Sequence, residues 1–147
     1  MANDLKLNRD VVVVAAITNE RNELFFIKRN TPGVEGHQAY ALPGGHVEDG
    51  ETPADAIRRE VKEETGFEVV VEYLLPEIWV NPIWANEFGE KTQIFLIGYK
   101  CRIISGTFNS GDKEISEGGF YSYPAIKKVK FLKPAAEVFE LILKSEK

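Results

Sequence analysis

Apolar positions fall into two periods along the chain. Residues 11–17, VVVVAAI, are apolar throughout and rich in β-branched side chains. A run without polar alternation predicts a central strand covered on both faces. A polar turn over 18–23 separates it from a second strand over 24–28, and Tyr40 and Leu42 alternate as in a short third. From Thr52 the period becomes helical. Thr52 suits an N-cap and Pro53 the first helical position. Asp55 places negative charge in the first turn, and Gly66 supplies a stop. A helix over 53–65 follows. At about 100° per residue, Ala54, Ile57 and Val61 share its core face. Glu60, Glu63 and Glu64 cluster on the flank, while Asp55, Arg58 and Lys62 point to solvent.

Residues 68–73 read as a strand that Pro76 interrupts, and 77–84 as a second run bent by Pro82. Residues 92–104 read as a long strand with a doubly apolar middle, which makes 77–104 a hairpin candidate. Trp79, Trp84 and Phe88 fall near its open end. Trp84 and Phe88 suit either nucleobase stacking or hairpin pairing, and Trp79 suits the core. Residues 105–119 hold four glycines, three acids and one lysine, and read as a long mobile loop. A last strand over 120–123 follows. Pro134 then opens a terminal helix whose Val138, Phe139, Leu141 and Ile142 form a broad apolar face. The pattern alone defines one α/β or α+β domain over residues 1–147.

Composition narrows the function. The net charge of −5 leaves no basic excess for a general nucleic-acid binder. Cys101 is the only cysteine, which rules out an internal disulfide or a cysteine-based zinc site and fits a cytoplasmic location. The N-terminus is polar and unlike a secretory signal, and no apolar run there spans a bilayer. A monomer or a homodimer is expected. Lys28 and Arg29, at a strand end, suit either a substrate phosphate or plain surface charge. His37 and His46 lack metal-ligand spacing. Both read as loop residues, and His46, beside the glycine pair, has substrate approach as its alternative role. Three carboxylates on the flank of a half-buried helix repel one another unless a cation joins them, and hard oxygen donors suit Mg²⁺ or Mn²⁺. Pro43-Gly44-Gly45 leaves the backbone bare, so that a carbonyl is free to approach such a cation.

Gly45, Glu51, Arg59, Glu60, Glu63, Glu64 and Gly66 stand at fixed spacings within residues 45–67. That stretch resembles the Nudix hydrolase signature, Gly-x5-Glu-x7-Arg-Glu-U-x-Glu-Glu-x-Gly-U, with U a bulky aliphatic residue. Every fixed identity matches, and the one departure is the aromatic Phe67 at the last U. The resemblance implies an α/β/α sandwich with a mixed β-sheet, the helix over 53–65 on one face and the terminal helix on the other. It implies Mg²⁺-dependent hydrolysis of the pyrophosphate linkage of a small-molecule nucleotide. Glu60 and Glu64 are then the leading metal ligands, with Glu63 either a ligand or the residue that orients or deprotonates water. Gly44 offers its carbonyl, and Arg59 holds Glu51 or Glu60 in place. The family also places a loop glutamate toward the metals, here Glu117, with Glu114 the alternative. Nucleoside triphosphates are the expected substrates, because the chain is short and lacks an extra N-terminal domain. ADP-ribose or a nucleoside diphosphate sugar is the alternative, supported by Pro82 lying fifteen residues beyond Phe67. A silent nucleotide-binding regulator is the remaining class, but it would be expected to have lost a glutamate.

Overall fold

The computed structural model describes residues 7–33, 36–80, 84–85 and 90–145, with the backbone alone at 84, 85 and 145. The elements run β1 (Leu7–Ile17), β2 (Leu24–Arg29), β3 (Tyr40–Ala41), β4 (Gly44–His46), α1 (Pro53–Thr65), β5 (Glu68–Val80), β6 (Trp84–Ala85), β7 (Lys91–Ser105), β8 (Ile115–Tyr121), α2 (Tyr123–Ile126) and α3 (Ala135–Ser145). β1 lies parallel to β7, from Leu7 opposite Lys91 to Ile17 opposite Cys101. β4 flanks β1 and β5 flanks β7, both antiparallel, giving a mixed sheet of order β4-β1-β7-β5 with β6 also on β7. A second, antiparallel sheet has the order β3-β2-β8.

Strand alternation builds two cores. Val13, Ala15 and Ile17 of β1 pack with Phe25 and Ile27 of β2 and with Ala56, Ile57 and Val61 of α1. Val14, Ala16, Leu24 and Phe26 face the other way and meet Val138, Phe139 and Ile142 of α3. Both faces of the second half of β1, residues 13–17, are therefore buried, which is why the run has no polar alternation there. The result is the expected α/β/α sandwich. Phe26 and Phe139 are fully buried, with ring centroids 5.9 Å apart. Phe139→Ala is expected to cost about 3–5 kcal/mol of stability, read by denaturant unfolding.

The helix signals act as expected. Asp55 N–H donates to Thr52 Oγ1 at 3.1 Å, and Gly66 stops the helix with φ of 81°. The buried stripe of α1 is Ala56, Ile57, Val61, Glu64 and Thr65. It drifts around the axis from the expected face and leaves Ala54 half-buried. Pro76 does not end a strand: β5 runs through it, and the pairing with β7 absorbs it in a register shift between Leu74 and Ile78. Trp79 packs against the α3-side core. The expected loop over 105–119 is shorter, because β8 begins at Ile115 and includes Glu117.

Candidate active site

Glycine shapes the edge of the mixed sheet at β4. Ala15 N–H donates to Pro43 O at 2.8 Å, and Val47 N–H to Val11 O at 2.9 Å. Antiparallel alternation then turns the N–H and carbonyl of Gly44 to the free edge. That N–H donates to Glu64 Oε1 at 2.8 Å. A Cβ on Gly44 would fall 1.9 Å from Val13 O, and one on Gly45 would fall 2.5 Å from the Glu60 carboxyl carbon. No larger residue fits either position without moving the strand or the carboxylate. Gly44→Ala is expected to cost about 1–3 kcal/mol through this clash, as a lowered melting temperature.

Arg59 is the hub of the acidic flank. Its Nε and Nη2 donate to Glu51 Oε2 and Oε1 at 2.8 and 2.9 Å, a bidentate pair. Nη1 donates to Glu60 Oε1 at 2.9 Å and to Glu63 Oε2 at 3.4 Å, while Nη2 also donates to His46 O at 3.1 Å. The guanidinium holds the Glu51 carboxyl down at about 2. Burial pushes Glu60 upward against Arg59. Burial pushes Glu64 up to about 8; the Gly44 N–H and the Arg29 charge oppose it, while Glu60 and Asp112 add to it. Both carboxylates are therefore strained in their charged forms and would gain from a cation.

The three helix glutamates do not converge. The Glu63 side chain is 56% exposed and turned to Arg59. Among the described residues, no three Asp, Glu, His or Cys side chains form a ready cage for a cation. Like charges separate unless something positive lies between them, and here Arg59 takes that part for Glu60 and Glu63.

A cleft of about 470 Å³ opens beside these residues, within the ~300–1,000 Å³ usual for small-molecule sites. Arg29, Gly44, Gly45, His46, Glu60 and Glu64 form its polar side. Val12, Val14 and Leu96 form an apolar floor on the α3-facing side of β1 and β7, with Leu42 and Pro134 beside it. The two strand-end cations part company. Arg29 lines the cleft, and its Nε is buried with no partner among the described residues. Lys28 points to the opposite face, where Nζ lies 3.7 Å from Glu117 and 5.7 Å from the Tyr40 ring centroid.

Glu117, the expected loop ligand, lies apart from these residues. It sits in β8 opposite Lys28, its side chain meets that lysine, and it does not line the cleft. Glu114 is exposed and gives its carbonyl to Asn30 N–H. The loop acid whose charge acts on Glu64 is Asp112, which sequence reasoning missed. The signal was indirect: the last carbonyls of a helix need donors. Asn109 N–H and Gly111 N–H supply two, to Thr65 O at 2.8 Å and Glu63 O at 3.2 Å, and so bring Asp112 near. Lys133, which also lines the cleft, carried no sequence signal. The Trp84 side chain, Phe88 and Pro82 lie outside the described residues.

Residues 7–142 match the family model described as the NUDIX domain, and the chain belongs to the Nudix hydrolases, a family of enzymes acting on pyrophosphate bonds. It is 32% identical over 120 residues to an ADP-ribose pyrophosphatase of Methanocaldococcus jannaschii, covering 82% of this chain and 66% of that protein. It is 44% identical over 99 residues to an 8-oxo-dGTP diphosphatase of Escherichia coli, covering 56% of this chain and 74% of that one. A Nudix hydrolase structure from Nitrosomonas europaea shares the fold at a TM-score of 0.75 and 22% identity, covering 94% of this chain and 90% of its own. Nudix hydrolases generally use divalent metal ions such as Mg²⁺. No helix among the described residues is long and apolar enough to cross a membrane.

Proposed function

We propose that this chain, as one domain over residues 1–147, hydrolyses nucleoside triphosphates to a nucleoside monophosphate and pyrophosphate with Mg²⁺ or Mn²⁺. The observation that carries this reading is the pair Glu60 and Glu64, both pushed upward by burial, beside a free-edge glycine and the Arg29 Nε, which has no partner among the described residues. The donor set fits a hard cation: two carboxylates and the Gly44 carbonyl are all oxygen. When bound, the metal supplies positive charge to the phosphates and lowers the pKa of a water. The chain's own residues do the rest. Arg29 donates to a phosphate oxygen. Arg59 and Glu51 hold Glu60 in place. Glu63, on the solvent side and tethered to Arg59, orients the attacking water or joins the ligands. The apolar floor takes the nucleoside. A cytoplasmic location accords with the lone buried thiol, Cys101.

The 44% identity to the Escherichia coli enzyme supports the triphosphate reading, and the longer match to the archaeal protein favours ADP-ribose as the second. A panel of nucleoside triphosphates, ADP-ribose and a nucleoside diphosphate sugar decides between them. Triphosphates are expected to show the highest kcat/KM, with activity lost in excess chelator and restored by Mg²⁺ or Mn²⁺. Full activity in chelator, or preferential cleavage of ADP-ribose, contradicts the reading. Nucleotide binding without any cleavage would mark a silent regulator instead.

A further inference from the structure

Lys133 lies on the cleft and has no part in the chemistry above. Its backbone is fixed on both sides. Leu132 N–H donates to Tyr40 O at 2.8 Å, and Tyr40 N–H donates to Lys130 O at 2.9 Å, so the strand-like segment before α3 is laced to β3. Pro134 and Ala135, which follow, are buried. The side chain, by contrast, is exposed, and among the described residues it has no ion-pair partner. Lys28, Lys62 and Lys100 are paired with Glu117, Glu68 and Glu72. A fixed backbone that carries an ammonium without an ion-pair partner among the described residues is what a ligand contact needs.

The surroundings decide which part of a nucleotide it meets. This step rests on the proposed function, which places the phosphates at Glu60, Glu64 and Arg29. The floor of Val12, Val14 and Leu96 offers nothing to a phosphate and costs a charged group its hydration. It does suit the flat face of a base. Lys133 lines the same cleft as that floor and Pro134, so a base resting on the floor would present an edge to it. An ammonium has donors and no acceptor. The Hoogsteen edge of a 6-keto purine offers two acceptors, O6 and N7, whereas adenine places an amine donor at C6. We propose that Lys133 is a specificity-determining residue that selects 6-keto purine nucleotides over adenine nucleotides.

Inosine and adenosine 5′-monophosphates differ at the C6 substituent and the N1 proton, which isolates the group in question. Their affinities are measured by calorimetry in Mg²⁺ with the wild type, with Lys133→Met, which keeps the stem, and with Lys133→Arg, which keeps the charge. The wild type is expected to bind the inosine nucleotide about tenfold more tightly, as for one hydrogen bond from a charged donor. In Lys133→Met the preference falls to near unity with adenosine affinity unchanged, and Lys133→Arg retains it. Equal affinities in the wild type overturn the proposal. So does a preference that survives Lys133→Met, and so does an equal loss for both ligands, which would mean a phosphate contact. Turnover of the matching triphosphates, run alongside, separates the two claims. A protein with the Lys133-dependent preference but no hydrolysis keeps the base reading and loses the proposed function. Brisk hydrolysis with no Lys133-dependent preference does the reverse.

Discussion

Glu64→Gln is expected to lower kcat by roughly 10²-fold or more while leaving the metal-free protein at least as stable as its parent. The loss in rate follows from removing a carboxylate proposed to hold the charge that stabilises the reacting phosphate. The gain in stability follows from burial. Glu64 is 9% exposed, and its carboxyl is pushed up to about 8 because its charged form is poorly hydrated. The glutamine keeps an oxygen for the Gly44 N–H, so the hydrogen bond survives the change. The sign of the pH effect follows. Below the ordinary glutamate value the carboxyl is protonated whether the chain is folded or not. As pH rises toward about 8, the unfolded chain gives up the proton and the folded one keeps it. Stability of the wild type therefore declines across that window, on the order of a few kcal/mol, and levels off above it. Glu64→Gln should lack this part of the decline, so the two melting curves separate with rising pH in chelator. If they stay parallel from pH 4.5 to 8, the carboxyl is not strained and the site is drawn wrongly.

Arg59→Lys is expected to reduce Mg²⁺ affinity or kcat by about 10- to 100-fold, the usual cost of disturbing a residue that orients a ligand. A lysine keeps the positive charge but not the fork. Nε and Nη2 together grip Glu51, while Nη1 reaches Glu60 and Nη2 the His46 carbonyl. One ammonium on a flexible stem does not serve those directions at once. Glu60 then loses the partner that opposes its burial, and it moves off Gly45, whose missing side chain makes room for it. The melting temperature should fall as well, with Arg59→Lys less damaged than Arg59→Ala. A variant with normal kcat and normal Mg²⁺ dependence would show that the hub is a surface ornament.

Much of this arrangement was legible in the sequence, for identifiable reasons. The doubly apolar run of β1 announced cover on two faces, and the Thr52 and Gly66 caps set the limits of α1. The spacing of the signature placed Glu60 and Glu64 on one flank because helical geometry is rigid over two turns. What failed depended on non-local pairing. Pro76 looked like a break, yet a register shift against β7 carries the strand through it. Glu117 looked like a loop acid, but pairing of β8 with β2 puts it beside Lys28. Lys28 and Arg29 were indistinguishable as neighbours in sequence, and strand alternation sends only Arg29 into the cleft. Asp112 and Lys133 reach the site through loops, where no period exists to read.

Hydrolysis is proposed to depend on a metal held by Glu60 and Glu64. Thermal melts of the wild type and Glu64→Gln at pH 8, with chelator and with saturating Mg²⁺, test it most directly. Mg²⁺ is expected to raise the wild-type melting temperature by several degrees, since binding to the folded state alone stabilises it by mass action. In Glu64→Gln the rise should shrink to little or nothing. An equal Mg²⁺-dependent rise in both proteins would place the metal elsewhere and contradict the account.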